Sequence, residues 1–236
     1  MREIFKRTQD RDEVSIEVNL GVETSKDMNP WLLSVFVKYD GIDEDLSGFE
    51  EFLETKEALI IALEHQDRAV YVGSRVVDGW SEFYFYAYDS KKLDSIVNKI
   101  LTPSNYIYES NVVRDTKWDF YRSQLLPSEL ELCHIQSAKI IFLLEEEGDN
   151  LSMARDVEHY ISFETPTQKN RFINTLTLDG FSFKDDISNE EFNHGVALVK
   201  KHCVRDEELK EVVEELFSAI KENNGFYEGW STTLVE

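Results

Sequence analysis

Cysteine is scarce in this chain: Cys133 and Cys203 are the only two in 236 residues. That excludes a disulfide scaffold and suits a reducing compartment. No Cys-x₂₋₄-Cys or His-x₃₋₅-His spacing occurs, so structural zinc lacks its usual ligand pattern. Cys133-His134 and His202-Cys203 supply the right atoms, but neighbours on a strand point to opposite faces and cannot share one ion. No metal and no cofactor are expected. Long apolar runs are also missing. The longest without alanine or tyrosine, Ile140 to Leu144, has five residues, against roughly 20 for a bilayer span. The charged start, Met1-Arg2-Glu3-Ile4-Phe5-Lys6-Arg7, has no apolar h-region, so no signal peptide is expected and the cytoplasm is the expected location. Absent too are a G-x-S-x-G elbow, a P-loop and a Rossmann glycine pattern. Basic residues are few, 25 Lys and Arg against 47 Asp and Glu, for a net charge of -22. The excess falls on both halves, -9 up to Pro127 and -13 beyond it. Direct binding of nucleic acid or anionic lipid is disfavoured, whereas a basic protein partner would be attracted.

What is present is enough hydrophobicity for real cores, 42% with 12% aromatic, so charge alone does not make the chain disordered. Residues 1–13 read as a charged lead-in or a short strand. Val14, Ile16, Val18 and Leu20 alternate as on a half-buried strand, and Trp31 to Tyr39 suits a strand covered on both faces. Ser47 and Glu50 form a capping box ahead of a helix with Phe49, Phe52, Leu59, Ile60 and Leu63 on one face. Asp78-Gly79 predicts a type I′ hairpin between 69–77 and 80–88. Asp89 is placed to cap the next helix; Tyr106 to Val113 and Trp118 to Tyr121 read as extended. Past Pro127, Ser128 with Glu131 and Thr165-Pro166 mark two helix starts. The first carries Ala138, Ile141, Phe142 and Leu144 as its apolar face. The strand of Val157, His159 and Ile161 lies between them. Gly180 is placed as a left-handed cap. Phe181–Phe183 and His194–Val204 read as strands, Asp206 opens a long amphipathic helix, and Phe226–Val235 closes the chain. These elements predict two α+β domains, 1–127 and 128–236. Without its extra first element, each reads β-α-β-β-α-β, the ferredoxin-like order with helices on one face of an antiparallel sheet.

Two features invite chemistry. Trp80, Phe83, Tyr84, Phe85, Tyr86 and Tyr88 could imitate a base-stacking surface, but the accompanying basic residues are missing and packing is the better account. His159, mid-strand beside Glu158, could serve as a general base, yet no motif places a nucleophile near it. A hydrogen-bonded structural or surface histidine is favoured. The acidic runs Glu145–Glu147 and Asp206–Glu208 read as solvated helix ends.

The stretches Leu143-Leu144-Glu145-Glu146-Glu147-Gly148-Asp149, Val157-Glu158-His159-Tyr160 and Asp179-Gly180-Phe181 resemble the type B regulators of ribonuclease E activity, the ribonuclease E inhibitor family. The closing Tyr227-Glu228-Gly229-Trp230-Ser231-Thr232 is similar to that family's Tyr-Asp-Gly-Trp-Gly-Thr signature. The likeness covers about 137–236, though the long acidic tail of the family is missing after this strand. It implies a small acidic ferredoxin-like protein that binds an endoribonuclease and inhibits RNA cleavage without being an enzyme. Upstream, Asp78-Gly79-Trp80, Phe83-Tyr84-Phe85-Tyr86 and Asp115-x-x-Trp118-x-x-Tyr121 resemble an uncharacterised domain family sometimes fused ahead of these regulators, which implies no activity. The leading expectation is therefore a non-catalytic regulator that binds a protein partner such as an RNA-processing endoribonuclease. His159, Gly180, Tyr227, Glu228, Gly229 and Trp230 are its candidate contact or signature residues. The alternative is a small-molecule-binding domain or enzyme using His159 and the 80–88 strand; a fixed scaffold or homodimer is the third reading. Whether Tyr227, Trp230 and His159 gather on an exposed surface separates contact from core.

Overall fold

A computed structural model describes the chain apart from residues 10–11, 23–27, 40–45, 178, 190–191, 193 and 236. The Asp40-Gly41 turn and the Ser47 capping side chain lie outside the described residues. Two compact units divide the chain, Met1–Leu126 and Pro127–Glu236.

In the first unit, β1 (Arg2–Gln9) and β2 (Asp12–Asn19) form a hairpin, followed by β3 (Trp31–Lys38), α1 (Leu46–Glu64), β4 (Ala69–Val77), β5 (Trp80–Ala87), α2 (Leu93–Leu101) and β6 (Tyr108–Arg114). The sheet is antiparallel with order β1-β2-β4-β5-β3-β6. Strands β3 to β6 with α1 and α2 make a ferredoxin-like core, and the β1–β2 hairpin extends its β4 edge. The charged lead-in is thus a full strand. Asp78 and Gly79 both take positive φ (50° and 73°), as a two-residue type I′ turn demands.

Both faces of this sheet are covered. Leu33, Phe83 and Phe85 pack under α1 and α2 with Phe52, Leu63 and Val97; Phe49 is 40% exposed and sits outside that cluster. On the opposite face Tyr84 meets Phe120, and Tyr86 stacks on Trp118 at 4.1 Å. Trp118 to Tyr121, expected to be extended, instead enters a wide helical turn over Tyr121–Leu125. The Asp115 carboxylate is the reason: it accepts the backbone N–H groups of Asp119 and Phe120 at 2.9 and 3.0 Å, and the Tyr86 hydroxyl at 2.6 Å. Trp118 Nε1–H donates to the Asn29 carbonyl at 2.8 Å, and Tyr121 O–H to that of Asn19 at 2.9 Å. Asp89 does not cap α2 either. It accepts the N–H of Lys91 in a tight local turn, and α2 begins after Lys92 in a left-handed conformation.

The second unit runs α3 (Glu129–Glu146), β7 (Arg155–Phe163), α4 (Pro166–Thr175), β8 (Ser182–Asp186), β9 (Val196–His202), α5 (Asp206–Glu222) and β10 (Gly225–Thr232). Its sheet order, β10-β7-β9-β8, is antiparallel throughout, which is the split βαβ arrangement. Ser128 and Thr165 form complete capping boxes with Glu131 and Gln168. The α3 periodicity is offset from expectation. Cys133, Ile141 and, less deeply, Leu144 pack inward, whereas Ala138 and Phe142 are exposed. Of the inward positions of β7, Val157 packs with Leu209 and Val213 of α5, and Ile161 with Leu216 and Ile220; His159, between them in sequence, is buried.

Candidate functional site: the bulged edge strand and its groove

The Tyr-Glu-Gly-Trp segment occupies the edge strand β10 at a bulge. Tyr227 pairs with Ile161, Gly229 with Tyr160 and Trp230 with His159, leaving Glu228 as the extra residue. In a regular strand two residues three apart would point to opposite faces. The bulge brings Tyr227 and Trp230 to the same, helix-covered face and turns Glu228 outward. Gly229 has φ +124° with open space where a Cβ would stand, a conformation that suits glycine.

His159 is fully buried opposite Trp230. Its hydrogen bonds follow from one carbonyl. His202 Nδ1 lies 2.6 Å from the Cys203 oxygen, which can only accept, so Nδ1 carries the proton and Nε2 is an acceptor. His159 Nε2–H therefore donates to His202 Nε2 across 3.2 Å, and His159 Nδ1 accepts the Tyr227 O–H at 2.9 Å. Burial, then the neighbouring His202, hold the His159 pKa down to about 3, so this imidazole is neutral at pH 7. Burial also pushes the Tyr227 phenol upward.

Trp230 is 5% exposed, and its Nε1–H donates to Ser137 Oγ on α3 at 3.0 Å. His159, Tyr227 and Trp230 do gather, but inside the unit. His159 has no surface to offer a substrate or a partner. Glu228 faces outward and accepts the Ser162 hydroxyl. Gly180 is left-handed (φ +74°) but stands in the turn before β8; α4 ends at Thr175, followed by Leu176 in extended conformation. The rings of Phe83, Tyr84, Phe85 and Tyr86 are buried, so that strand is no stacking platform.

Arg155, a residue not singled out in the sequence, anchors the Gly148-Asp149 signature. Its guanidinium grips the Asp149 carboxylate bidentately at 2.6 and 2.7 Å, and donates to the carbonyls of Asn150, Met153 and Thr233. All five donors are engaged. Asp149 also accepts the Val235 N–H at 2.8 Å, tying the end of β10 to the turn after α3. The Arg155 hydrogen bonds hold the Asp149 carboxyl below the usual carboxylate range. The legible signal was an arginine at the first inward position of an alternating strand, which requires a buried anion.

Between β10 and α3 runs an open groove of about 370 Å³ lined by Tyr160, Tyr227, Glu228, Gly229 and Trp230 on one side and Ser137, Lys139 and Ile140 on the other. It adjoins a second hollow of about 240 Å³ that shares Cys133, Gln136, Tyr227 and Glu228. The Cys133 thiol in its wall is pushed up by burial to about 11, which leaves it protonated and unreactive. No cluster of three His, Cys, Asp or Glu able to hold a metal occurs among the described residues.

Residues 4–126, just over half the chain, match the model of a family of unknown function, DUF695. The chain belongs to the DUF695 family. Residues 134–232 match a second family model, regulator of ribonuclease activity B (RraB). The DUF695 region thus spans the six-stranded sheet, and the RraB region contains the bulged strand, His159 and the groove. No curated protein matches the chain. Among solved structures, an unknown protein from Galdieria sulphuraria aligns over 88% of this chain and 99% of its own, at 11% identity and a TM-score of 0.22; at that score it carries no argument.

Proposed function

We propose that this chain is a non-catalytic regulator of ribonuclease activity that acts by binding a protein partner, an RNA-processing endoribonuclease of the ribonuclease E kind. The observation that carries this reading is the match of 134–232 to the regulator family. Three features support it. The net charge of -22 repels RNA and attracts basic protein surface. His159 is locked between Tyr227 and His202 and stays neutral, which removes the one imidazole that sequence put forward as a base. The groove beside β10 is an open trough at the unit's surface, a shape that receives a protein segment more readily than it encloses a metabolite.

The test is cleavage of a structured RNA by a purified ribonuclease E-type enzyme with and without an excess of this chain. Slower cleavage, with the enzyme captured on the immobilised chain and released by salt, is the expected result. Unchanged cleavage together with no capture at low salt overturns the reading. A metabolite screen by thermal shift addresses the small-molecule alternative, because a ligand that binds the folded state raises its melting temperature.

A further inference from the structure

We propose that the groove between β10 and α3 is the partner site of this regulator, and that it receives an arginine side chain presented by the partner protein. This rests on the protein-binding reading and adds to it a place and a chemistry.

The argument begins with what the bulge exposes. Gly229 lies in register with Tyr160 on the strand next to it; no side chain at 229 covers the ring, whose hydroxyl is held by Ser231 Oγ at 2.7 Å. A Cβ built on Gly229 meets no atom within 4 Å, so the notch is open space. Around it stand the half-buried rings of Tyr160 and Tyr227, with Trp230 buried behind them, an aliphatic wall from Ile140, the Lys139 side chain, and the carboxylate of Glu228. Glu228 has the Ser162 hydroxyl as its hydrogen-bond partner and forms no ion pair among the described residues. Most other carboxylates nearby are committed: Glu129 to Lys221, Glu158 to Lys184, Glu131 to the α3 cap.

An aromatic face beside a carboxylate that forms no ion pair among the described residues is the chemistry that recognises guanidinium. The planar cation lies over a ring while two N–H groups meet the carboxylate, and its stem lies against aliphatic carbon. Lysine would use the charge but not the stacking plane. The bulge also decides against an added β-strand as the mode of recognition, because it breaks the regular spacing an incoming strand would need along this edge. Side-chain seating is left. The excess negative charge of the chain would speed approach of such a partner.

The experiment uses the full-length ¹⁵N-labelled chain and three acetylated, amidated pentapeptides, Gly-Gly-X-Gly-Gly, with X arginine, lysine or citrulline. The arginine peptide is expected to shift the Gly229 amide and the Trp230 indole resonance saturably. Lysine should bind more weakly, and the uncharged isostere citrulline at least tenfold more weakly. Glu228→Gln, a change at an exposed side chain, should weaken the arginine peptide at least tenfold with the spectrum otherwise native. Equal binding of arginine and citrulline, shifts scattered over acidic surface without saturation at Gly229, or unaltered binding by Glu228→Gln would each overturn the site. An endoribonuclease captured equally by wild type and Glu228→Gln would overturn the groove while leaving the regulator reading intact; loss of capture in that variant supports both.

Discussion

At the scale of single residues, the Tyr227–His159–His202 series behaves as one unit, because each proton position is dictated by the next acceptor. Tyr227→Phe removes the donor to His159 Nδ1 and leaves that buried nitrogen unpaired, a loss of about 1–3 kcal/mol by urea denaturation. The same series makes stability fall in mild acid. In the unfolded chain His159 titrates at about 6.5, whereas in the fold it stays neutral down to about 3. Between those values the unfolded state binds the extra proton, so lowering the pH from 7 to 5 should cost about 2 kcal/mol from this residue. His202, also held down mainly by burial, acts in the same direction. Denaturation across pH 5–7 should show a shallower slope for His159→Phe than for wild type; an identical slope would mean that His159 is not buried neutral. Trp230→Ala empties a buried site and removes the bond to Ser137, for about 3–5 kcal/mol. Were Trp230 instead a surface contact, that variant would keep its stability and lose only its partner.

Among the elements, the β7–β10 pair depends on an ion pair at its open end. Arg155→Met leaves the Asp149 carboxylate buried without its cation and should cost about 3–5 kcal/mol. Acid reaches the same contact from the other side. Because the Asp149 carboxyl is held below its ordinary range, its contribution is complete above about pH 4 and is lost as the pH falls through the lower folded value. The elements themselves were largely legible. Capping boxes at Ser128 and Thr165, the Asp-Gly turn and the α5 periodicity are local signals, and local chemistry decides them. The failures have a common cause in distant partners. Asp115 bends its segment into a helical turn only because Tyr86 and the β5 face lie beneath it, and Phe142 points outward because Cys133, Ser137 and Ile141 already supply the inward face of α3. Nothing within a few residues of either position records this. The site followed the same pattern: Tyr-Glu-Gly-Trp was recognisable as a signature, but its burial depends on a bulge that alternation cannot show.

On the scale of the whole molecule, each unit has its own sheet and its own buried core, and each is long enough to fold alone. Pieces 1–126 and 127–236 are expected to melt cooperatively when made separately. Trp118→Ala should destabilise the first piece by about 3–5 kcal/mol, and the same substitution in the intact chain should leave the transition of the second unit in place. Charge acts at this scale too. Capture of a basic partner should weaken as salt is raised from about 50 to 300 mM, since attraction between exposed charges is screened over that range.

The bulge at Glu228 works as a change of phase. Two positions would carry an ordinary strand from one inward side chain to the next; here it takes three, from Tyr227 to Trp230. The tally of residues in that interval therefore matters in a way their identities do not. Removing Glu228 alone would restore simple alternation with Tyr227 and Trp230 two positions apart, so both would stay inward and the Tyr227 bond to His159 would survive. Adding a residue beside Glu228 without a second bulge is what would put them out of phase. Replacing Glu228 touches recognition; deleting it removes the carboxylate and the bulge together and leaves inside and outside as they were.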